Sequence, residues 1–80
     1  MLGINFDLKK TGDNIKRLRE ENSMNVKKVA DKCGFQNPQS VYKWERGETL
    51  PSIDNLLVLA KIFDTSVEDI LIYDVLNYDR

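Results

Sequence analysis

Residues 34 to 51 read Gly-Phe-Gln-Asn-Pro-Gln-Ser-Val-Tyr-Lys-Trp-Glu-Arg-Gly-Glu-Thr-Leu-Pro. Asn37 is suited to cap a helix, and Pro38 suits its first position because the missing N–H would be unpaired there in any case. Gly47 lets the chain leave the helix at no steric cost. The stretch therefore predicts a short helix over residues 38–46.

This short helix is predicted to have two different faces. Val41 and Trp44 lie three residues apart and share one face, which we expect to contact a core. The side chains left for other directions are Gln39, Ser40, Tyr42, Lys43 and Arg46. Amide and cationic groups are thus presented outward on a helix that is anchored inward.

The segment before it predicts another short helix. Its apolar residues follow the i, i+3, i+4, i+7 spacing of a helical face: Val26, Val29, Ala30 and Cys33. Asn25 can accept an otherwise unpaired amide hydrogen bond at its start, and Gly34 can close its end with positive φ. Together the two segments predict a helix-turn-helix.

Three further helices complete the predicted domain. The first runs from about Asp13 to Asn22, and the fifth begins after Ser66, which has Asp69 at the capping-box position. The fourth is strongly amphipathic, with a predicted core face of Ile53, Leu56, Leu57, Ala60 and Phe63. The sequence predicts an all-α fold, a compact five-helix bundle over residues 11–73, with helices 2 and 3 as the helix-turn-helix.

The N-terminal residues 1–10 have a different pattern. Ile4, Phe6 and Leu8 alternate with polar residues in the two-residue period of a strand. No second strand is evident in the sequence. We therefore expect an arm that is loosely ordered or extended, or else an edge strand formed across a dimer or folded back on the core.

The C-terminal residues 74–80 are predicted to extend the fifth helix or to form a tail. If the helix continues, Ile72, Val75 and Leu76 fall on a separate arc from its core face. Apolar side chains on such a second arc predict a dimer interface.

Composition excludes several classes of protein. The chain has 80 residues, one cysteine and no histidine, so neither an intrachain disulfide nor a Cys/His metal site is expected. No glycine-rich phosphate loop or paired carboxylates are found, so we expect no enzyme and no cofactor. Without a membrane span or a signal peptide, the chain is expected to be cytoplasmic.

The net charge of −1 conceals an uneven distribution. Residues 1–46 hold ten Lys and Arg against six Asp and Glu, whereas residues 47–80 hold two against seven. One half could therefore face phosphate while the other avoids it. The alternative is that acidic and basic helices neutralise each other within a soluble domain.

Residues 13–71 resemble the phage-repressor and Cro-like helix-turn-helix proteins. The resemblance rests on Asp13-Asn-Ile-Lys-Arg-Leu-Arg-Glu-Glu, Val29-Ala30, Gly34, Trp44-Glu45-Arg46-Gly47 and Pro51-Ser-Ile-Asp-Asn-Leu. It implies a lambda-repressor-like fold that binds double-stranded DNA, with the third helix in the major groove.

The resemblance also implies which residues contact DNA. Base contacts fall to Gln39, Ser40, Tyr42 and Lys43, and phosphate contacts to Lys27, Lys28, Arg46 and Thr49. Glutamine can pair with adenine and lysine with guanine, which fits these assignments. The alternative for these side chains is an ordinary solvated helix face.

Other positions carry scaffold roles or depart from the family. Arg19 and Glu45 match positions that pair across the family fold, and we expect a partly exposed ion pair there. Val26 stands where a glutamine commonly binds phosphate. The sequence Gln36-Asn-Pro38 places one extra residue between the turn and the third helix.

The sequence therefore predicts a transcription regulator, most simply a repressor, that binds a short pseudo-palindromic operator as a homodimer. The alternative is an antitoxin or adaptor whose main role is to bind a protein partner. The apolar set Ile72, Val75 and Leu76 keeps that alternative open.

Overall fold

The computed structural model describes residues 1–77 as five helices and two strands. In chain order the elements are β1 (Leu2–Phe6), α1 (Leu8–Glu21), α2 (Val26–Lys32), α3 (Gln39–Glu45), α4 (Ile53–Ile62), α5 (Val67–Ile70) and β2 (Tyr73–Asn77). The helices enclose one apolar core, and the strands form an antiparallel ribbon.

The ribbon shows that the all-α prediction was wrong. β1 pairs with β2, so that Ile4 lies opposite Val75 and Phe6 opposite Tyr73. The alternating pattern of β1 has its partner in the apolar residues at positions 73 and 75, which share one face of a strand. The helical continuation of α5 does not form, because backbone pairing with β1 takes its place.

The ribbon is fixed to the helices by hydrogen bonds at Ile72. The Asp7 N–H donates to the Ile72 carbonyl oxygen at 2.9 Å. The buried hydroxyl of Thr11 accepts from the Ile72 N–H at 2.9 Å and donates to its carbonyl at 3.3 Å. Asp7 also caps α1 by accepting from the Lys10 N–H, so α1 begins at Leu8 and not near Asp13.

The core follows the predicted helical faces except on α4, where Leu59 is fully buried although it was not among the predicted core residues. The buried apolar side chains are Ile15, Leu18, Val26, Val29, Ala30, Val41, Trp44, Leu56, Leu59, Phe63 and Ile70. On α4, however, Ile53 is 79% exposed and Leu57 is 57% exposed, so their predicted core positions were wrong. The apolar arc of α4 is wider than the surface it packs against, which leaves this pair outside.

The turn between α2 and α3 is closed as the sequence predicted. The Asn25 side chain accepts from the Lys28 N–H at 2.8 Å, and Gly34 has φ of +80°. After the turn, the Phe35 N–H donates to the Ala30 carbonyl at 2.9 Å. The Phe35 ring meets Trp44 edge to face at 5.8 Å, so the turn is tied to α3 by an aromatic contact.

Candidate nucleic-acid interface

The outward face of α3 collects most of the predicted base-contacting residues. Gln39, Tyr42 and Lys43 are exposed, and Arg46 follows at the C-terminal cap. These four positions have the i, i+3, i+4, i+7 spacing that places side chains on one face of a helix. Ser40 is half-buried and lies beside that face.

The opposite face of α3 holds the helix to the core. Val41 is completely buried and Trp44 is 4% exposed. The helix therefore cannot rotate about its axis without exposing both side chains. The outward face has a fixed direction relative to the rest of the domain.

The start of α3 differs by one residue from the prediction. The helix begins at Gln39, and Pro38 occupies the cap with φ of −86°. The Asn37 side chain accepts from the Gln39 N–H at 3.1 Å. Asn37 thus stabilises the helix start as expected, while Gln39 becomes the first helical residue.

The end of α3 lies against the start of α1. Gly47 has φ of +77°, and a Cβ there would be 2.8 Å from the Lys9 Cα. The Glu48 N–H donates to the Lys43 carbonyl at 2.9 Å and closes the last turn. A side chain at position 47 would therefore be unfavourable for two reasons: the positive φ of the residue and the contact of its Cβ with the backbone of Lys9.

The predicted phosphate-contacting residues surround this face, but they are not equivalent. Lys27 pairs with Asp31 at 3.4 Å, and Arg46 pairs with Glu48. The hydrogen bond from Arg46 lowers the pKa of Glu48, so this carboxylate remains charged over a wide pH range. Both pairs are exposed, so breaking either one to bind a phosphate would cost little free energy.

Lys28 and Lys43 have no salt bridge within residues 1–77, and Thr49 is exposed. Val26 is buried, so a contact with phosphate from its side chain is excluded. Of the cations predicted to contact DNA, those without a salt bridge in the described residues therefore lie at the start of α2 and on the outward face of α3.

Arg19 and Glu45 join α1 to the end of α3 more firmly than the sequence suggested. Arg19 Nε and Nη2 donate to the two carboxylate oxygens of Glu45 at 2.7 and 3.1 Å. Arg19 Nη1 also donates to the Met24 carbonyl at 3.0 Å. The side chains are 11% and 9% exposed, so the pair is partly exposed, as expected, but much less exposed than a surface ion pair.

This burial changes the energetics of the pair. The hydrogen bond to Glu45 raises the pKa of Arg19, which keeps the guanidinium charged in the folded state. Two parallel bonds to one carboxylate fix geometry as well as charge. The pair therefore sets the position of the C-terminal end of α3.

Replacing Arg19 by methionine is expected to lower the free energy of unfolding by about 3 kcal/mol, because Glu45 would keep its charge in a nearly buried site. Urea denaturation measures this directly. Arg17→Met is the matched control, since Arg17 pairs with Glu21 at 2.9 Å but both side chains are more than half exposed. We expect that control to cost less than about 0.5 kcal/mol. Equal losses in the two variants would contradict the buried role of Arg19.

Sequence reasoning missed the role of Gly12. This glycine is buried within α1, and a Cβ there would be 2.3 Å from the Trp44 carbonyl oxygen and 2.7 Å from that of Glu45. α1 and α3 therefore approach each other backbone to backbone at this point. The available signal was a glycine three residues before Ile15, on the face of α1 that is buried.

Cys33 and the acidic residues show no alternative chemistry. Cys33 is half-buried, and burial raises its pKa, so it remains a thiol at neutral pH. Within residues 1–77, no three His, Cys, Asp or Glu side chains are grouped to hold a metal ion. None of the helices in that range is long and apolar enough to cross a membrane.

Comparison with protein families gives one match. The model of a helix-turn-helix family matches residues 15–70, which include α2, α3, α4 and α5 and the second half of α1. A search of curated proteins found no match.

Two solved structures have similar folds. The restriction-modification controller protein C.AhdI from Aeromonas hydrophila has a TM-score of 0.71 and 28% sequence identity, over 80% of this chain and 96% of that one. The DNA-binding domain of BldD has a TM-score of 0.66 and 21% identity, over 81% of this chain and 93% of that one. The second similarity, at this identity, concerns the fold alone.

Proposed function

The chain belongs to the helix-turn-helix family whose model matches it, and on this basis we propose that it is a DNA-binding transcription regulator. It is not an enzyme. In our proposal α3 enters the major groove of double-stranded DNA while α2 crosses the backbone. The regulator acts as a repressor, by occupying a site that other proteins need.

The outward face of α3 is the observation that supports this proposal. Gln39 and Lys43 lie one turn apart on it, and both are exposed. A glutamine amide can donate to and accept from adenine, and a lysine can donate to guanine O6 and N7. Ser40 and Tyr42 flank them, where a hydroxyl can contact a base edge or a ring can contact a thymine methyl group.

Cations around α3 are proposed to hold the protein on the DNA backbone. Lys28 is available without loss of a salt bridge, whereas Lys27 and Arg46 would exchange a carboxylate for a phosphate. Thr49 adds a hydroxyl just beyond the helix. Such contacts fix register and orientation, and the bases supply specificity.

A homodimer on a pseudo-palindromic operator completes the proposal. Two half-sites read by identical α3 helices would lie about 34 to 36 Å apart, one turn of DNA. Two half-sites are favoured because α3 is short and offers few base contacts by itself. We place the regulator in a bacterial cytoplasm, where it would have access to chromosomal or phage DNA.

A protein-binding role as antitoxin or adaptor is the second candidate function. It is favoured by apolar side chains that are exposed on a helix other than α3, namely Ile53 and Leu57 on α4. A partner bound there would leave the outward face of α3 accessible. The two functions are therefore separable by mutation.

Selection of bound sites from random duplex DNA tests the proposed function. We expect a pseudo-palindromic motif to be enriched, and no enrichment would contradict sequence-specific binding. On the selected site, the three candidate cations per protomer predict a slope of log K against log salt of about −5 for a dimer. Lys28→Ala should reduce the magnitude of that slope by about 2, since one contact is lost in each half-site.

A further inference from the structure

The ribbon of β1 and β2 has two unlike faces. Residues opposite each other in an antiparallel pair lie on the same face, and the faces alternate along each strand. The observed register therefore places Leu2, Ile4, Phe6, Tyr73 and Val75 together on one face, with the uncharged Asn77 at its end opposite Leu2. Gly3, Asn5, Asp74 and Leu76 lie on the other. We call the first set the apolar face.

The apolar face is largely open to solvent. Leu2 is 69% exposed, Val75 57% and Ile4 50%. Phe6 and Tyr73 meet edge to face with ring centroids 6.1 Å apart, which joins the two strands near the helices. An isolated two-stranded ribbon is marginally stable in water and normally needs another layer against its apolar face.

The chemistry of this face restricts what can cover it. The side chains on the apolar face of the described strands include none with a charge. A duplex or an anionic membrane would find no cation there, and Asp74 on the opposite face would repel both. A neutral apolar surface of the same shape meets neither obstacle, and a second copy of the chain provides one.

We propose that the apolar face of the ribbon is the surface on which a second copy of the chain docks. The two ribbons pack face to face, about 10 Å apart, as two layers of a small sheet sandwich. The contact is isologous, because the same face serves both protomers about a two-fold axis. This inference rests on the proposed function in so far as the dimer is the species that reads two half-sites.

The size of the face predicts a weak dimer. Two strands of five residues cover roughly 10 by 17 Å, well below the ~800 Å² per partner of a standard interface. Association of the protein alone is therefore expected only at concentrations on the order of a hundred micromolar. On an operator, the second protomer is held at high effective concentration and the weak contact becomes sufficient.

The dimer contact would be connected to α3, the helix proposed to contact bases. The ribbon continues into α1 at Asp7, and the first turn of α1 contacts the end of α3 where Gly47 faces Lys9. A two-fold contact between ribbons would thus act on α3 through the start of α1 and fix the relative orientation of the two reading helices.

The exposed pair on α4 is a poorer candidate for self-association. Ile53 and Leu57 are exposed, but Asp54, Lys61 and Asp64 are exposed on the same helix or just beyond it. A two-fold contact there would have to cover these charged side chains, whereas the apolar face of the ribbon has none. This pair therefore serves as the competing site in the test.

Sedimentation velocity on the full chain without DNA, over a concentration series, tests the proposal. The variant Ile4→Thr with Val75→Thr keeps β-branched residues in both strands but removes apolar groups from the apolar face. We expect its dimer dissociation constant to rise at least tenfold. Leu76→Thr is the matched control, since Leu76 is adjacent to Val75 but on the other face, and its dissociation constant should stay within twofold of the unmodified chain.

Either of two results with the variants would overturn the proposal. One is a dimer that persists in the double threonine variant, as expected if ribbons join edge to edge. The other is a dimer that is lost in Ile53→Thr with Leu57→Thr, which would place the contact on α4. An unmodified chain that remains monomeric at several hundred micromolar would overturn it too.

A charge-pairing experiment distinguishes loss of the dimer contact from unfolding of the ribbon itself. Ile4 lies at the centre of β1, so its counterpart on a second copy is close in a two-fold arrangement of the faces. Ile4→Lys and Ile4→Glu are each expected to be monomeric, because like charges would meet. Mixed in equal amounts, they should associate at least tenfold more tightly than either does alone. Failure of the mixture to associate would contradict face-to-face packing.

Binding to a duplex with one half-site separates this inference from the proposed function. If the ribbon variants are monomeric and still bind a single half-site as well as the unmodified chain, both the docking surface and the DNA-binding function are supported. If the chain dimerises through the ribbon but no selected DNA exists, the docking surface stands and the proposed function fails. If DNA binding is specific but threonine substitution leaves the dimer unchanged, the docking surface is wrong and the function stands.

Discussion

Replacing Gln39 and Lys43 together by alanine is expected to abolish sequence-specific operator binding. Each good contact with a base is worth about 1–3 kcal/mol of discrimination. On a dimeric complex the double variant loses two such contacts in each half-site, four in all, which should cost about 8 kcal/mol, or roughly a millionfold in affinity, and bring the protein close to its non-specific binding. Fluorescence anisotropy with the selected operator and with a scrambled duplex measures both affinities.

The fold should survive this double substitution. Both side chains are exposed, and alanine is a strong helix former, so thermal unfolding is expected to change little. Lys16→Ala is the control for loss of a cation, because Lys16 is exposed on α1, outside α3. Operator binding at full strength in the double variant would show that α3 is not the reading helix. If the chain also binds a protein partner, as an antitoxin or adaptor would, that association, measured separately, should be unchanged.

Replacing Gly12 by alanine is expected to destabilise the fold by about 3 kcal/mol. On helix propensity alone, the same change would stabilise α1 by about 1 kcal/mol. The two expectations have opposite signs, because the new methyl group would meet the carbonyl oxygens of Trp44 and Glu45. Backbone atoms at the end of α3 cannot move aside as a flexible side chain could, so α1 and α3 must separate.

Urea denaturation of Gly12→Ala measures this loss against a stability that for small domains totals about 5–15 kcal/mol. Asp13→Ala is the control within the same helix. Asp13 is exposed and makes a surface pair with Lys9, so its replacement should change stability by less than about 0.5 kcal/mol. A Gly12→Ala variant as stable as the unmodified chain would show that the close approach of α1 and α3 is not required.

The helix-turn-helix could be predicted from the sequence because its ends have local signals. Asn25 caps α2, Gly34 takes the positive φ of the turn, and Gly47 ends α3 in the same way. Val41 and Trp44 mark the buried face of α3 by spacing alone. Since local signals set both the ends and the inward face, the outward face followed without knowledge of tertiary structure.

The ribbon could not be predicted in the same way. The two-residue period of Ile4 and Phe6 was evident, but a strand needs a partner, and pairing between distant segments has no local signal. The segment of that partner contains Val75 and Leu76, whose adjacent apolar side chains fit a helix as well as a strand. The structure places them on opposite faces of β2, so they cannot form the joint arc that was expected.

The extent to which the Arg19 and Glu45 pair is buried could not be predicted from the sequence either. The match of positions indicated that the two side chains meet, yet their exposure depends on how closely α1 approaches α3. That approach is set by Gly12, whose missing side chain lets the helices come together. The contribution of the Arg19 and Glu45 pair to stability, a few tenths or several kcal/mol, therefore depends on the uncharged Gly12.

The pairing of Leu2 with Asn77 connects almost the first described residue to the last. Such a contact closes nearly the longest loop that the chain allows, and the chain entropy lost in closing it must be paid before the strands gain from pairing. The hydrogen bonds within each of the five helices, by contrast, join neighbours in sequence. The helix-turn-helix is therefore able to fold first and the ribbon afterwards. Opening of the ribbon is then a partial unfolding step that leaves the helix-turn-helix intact.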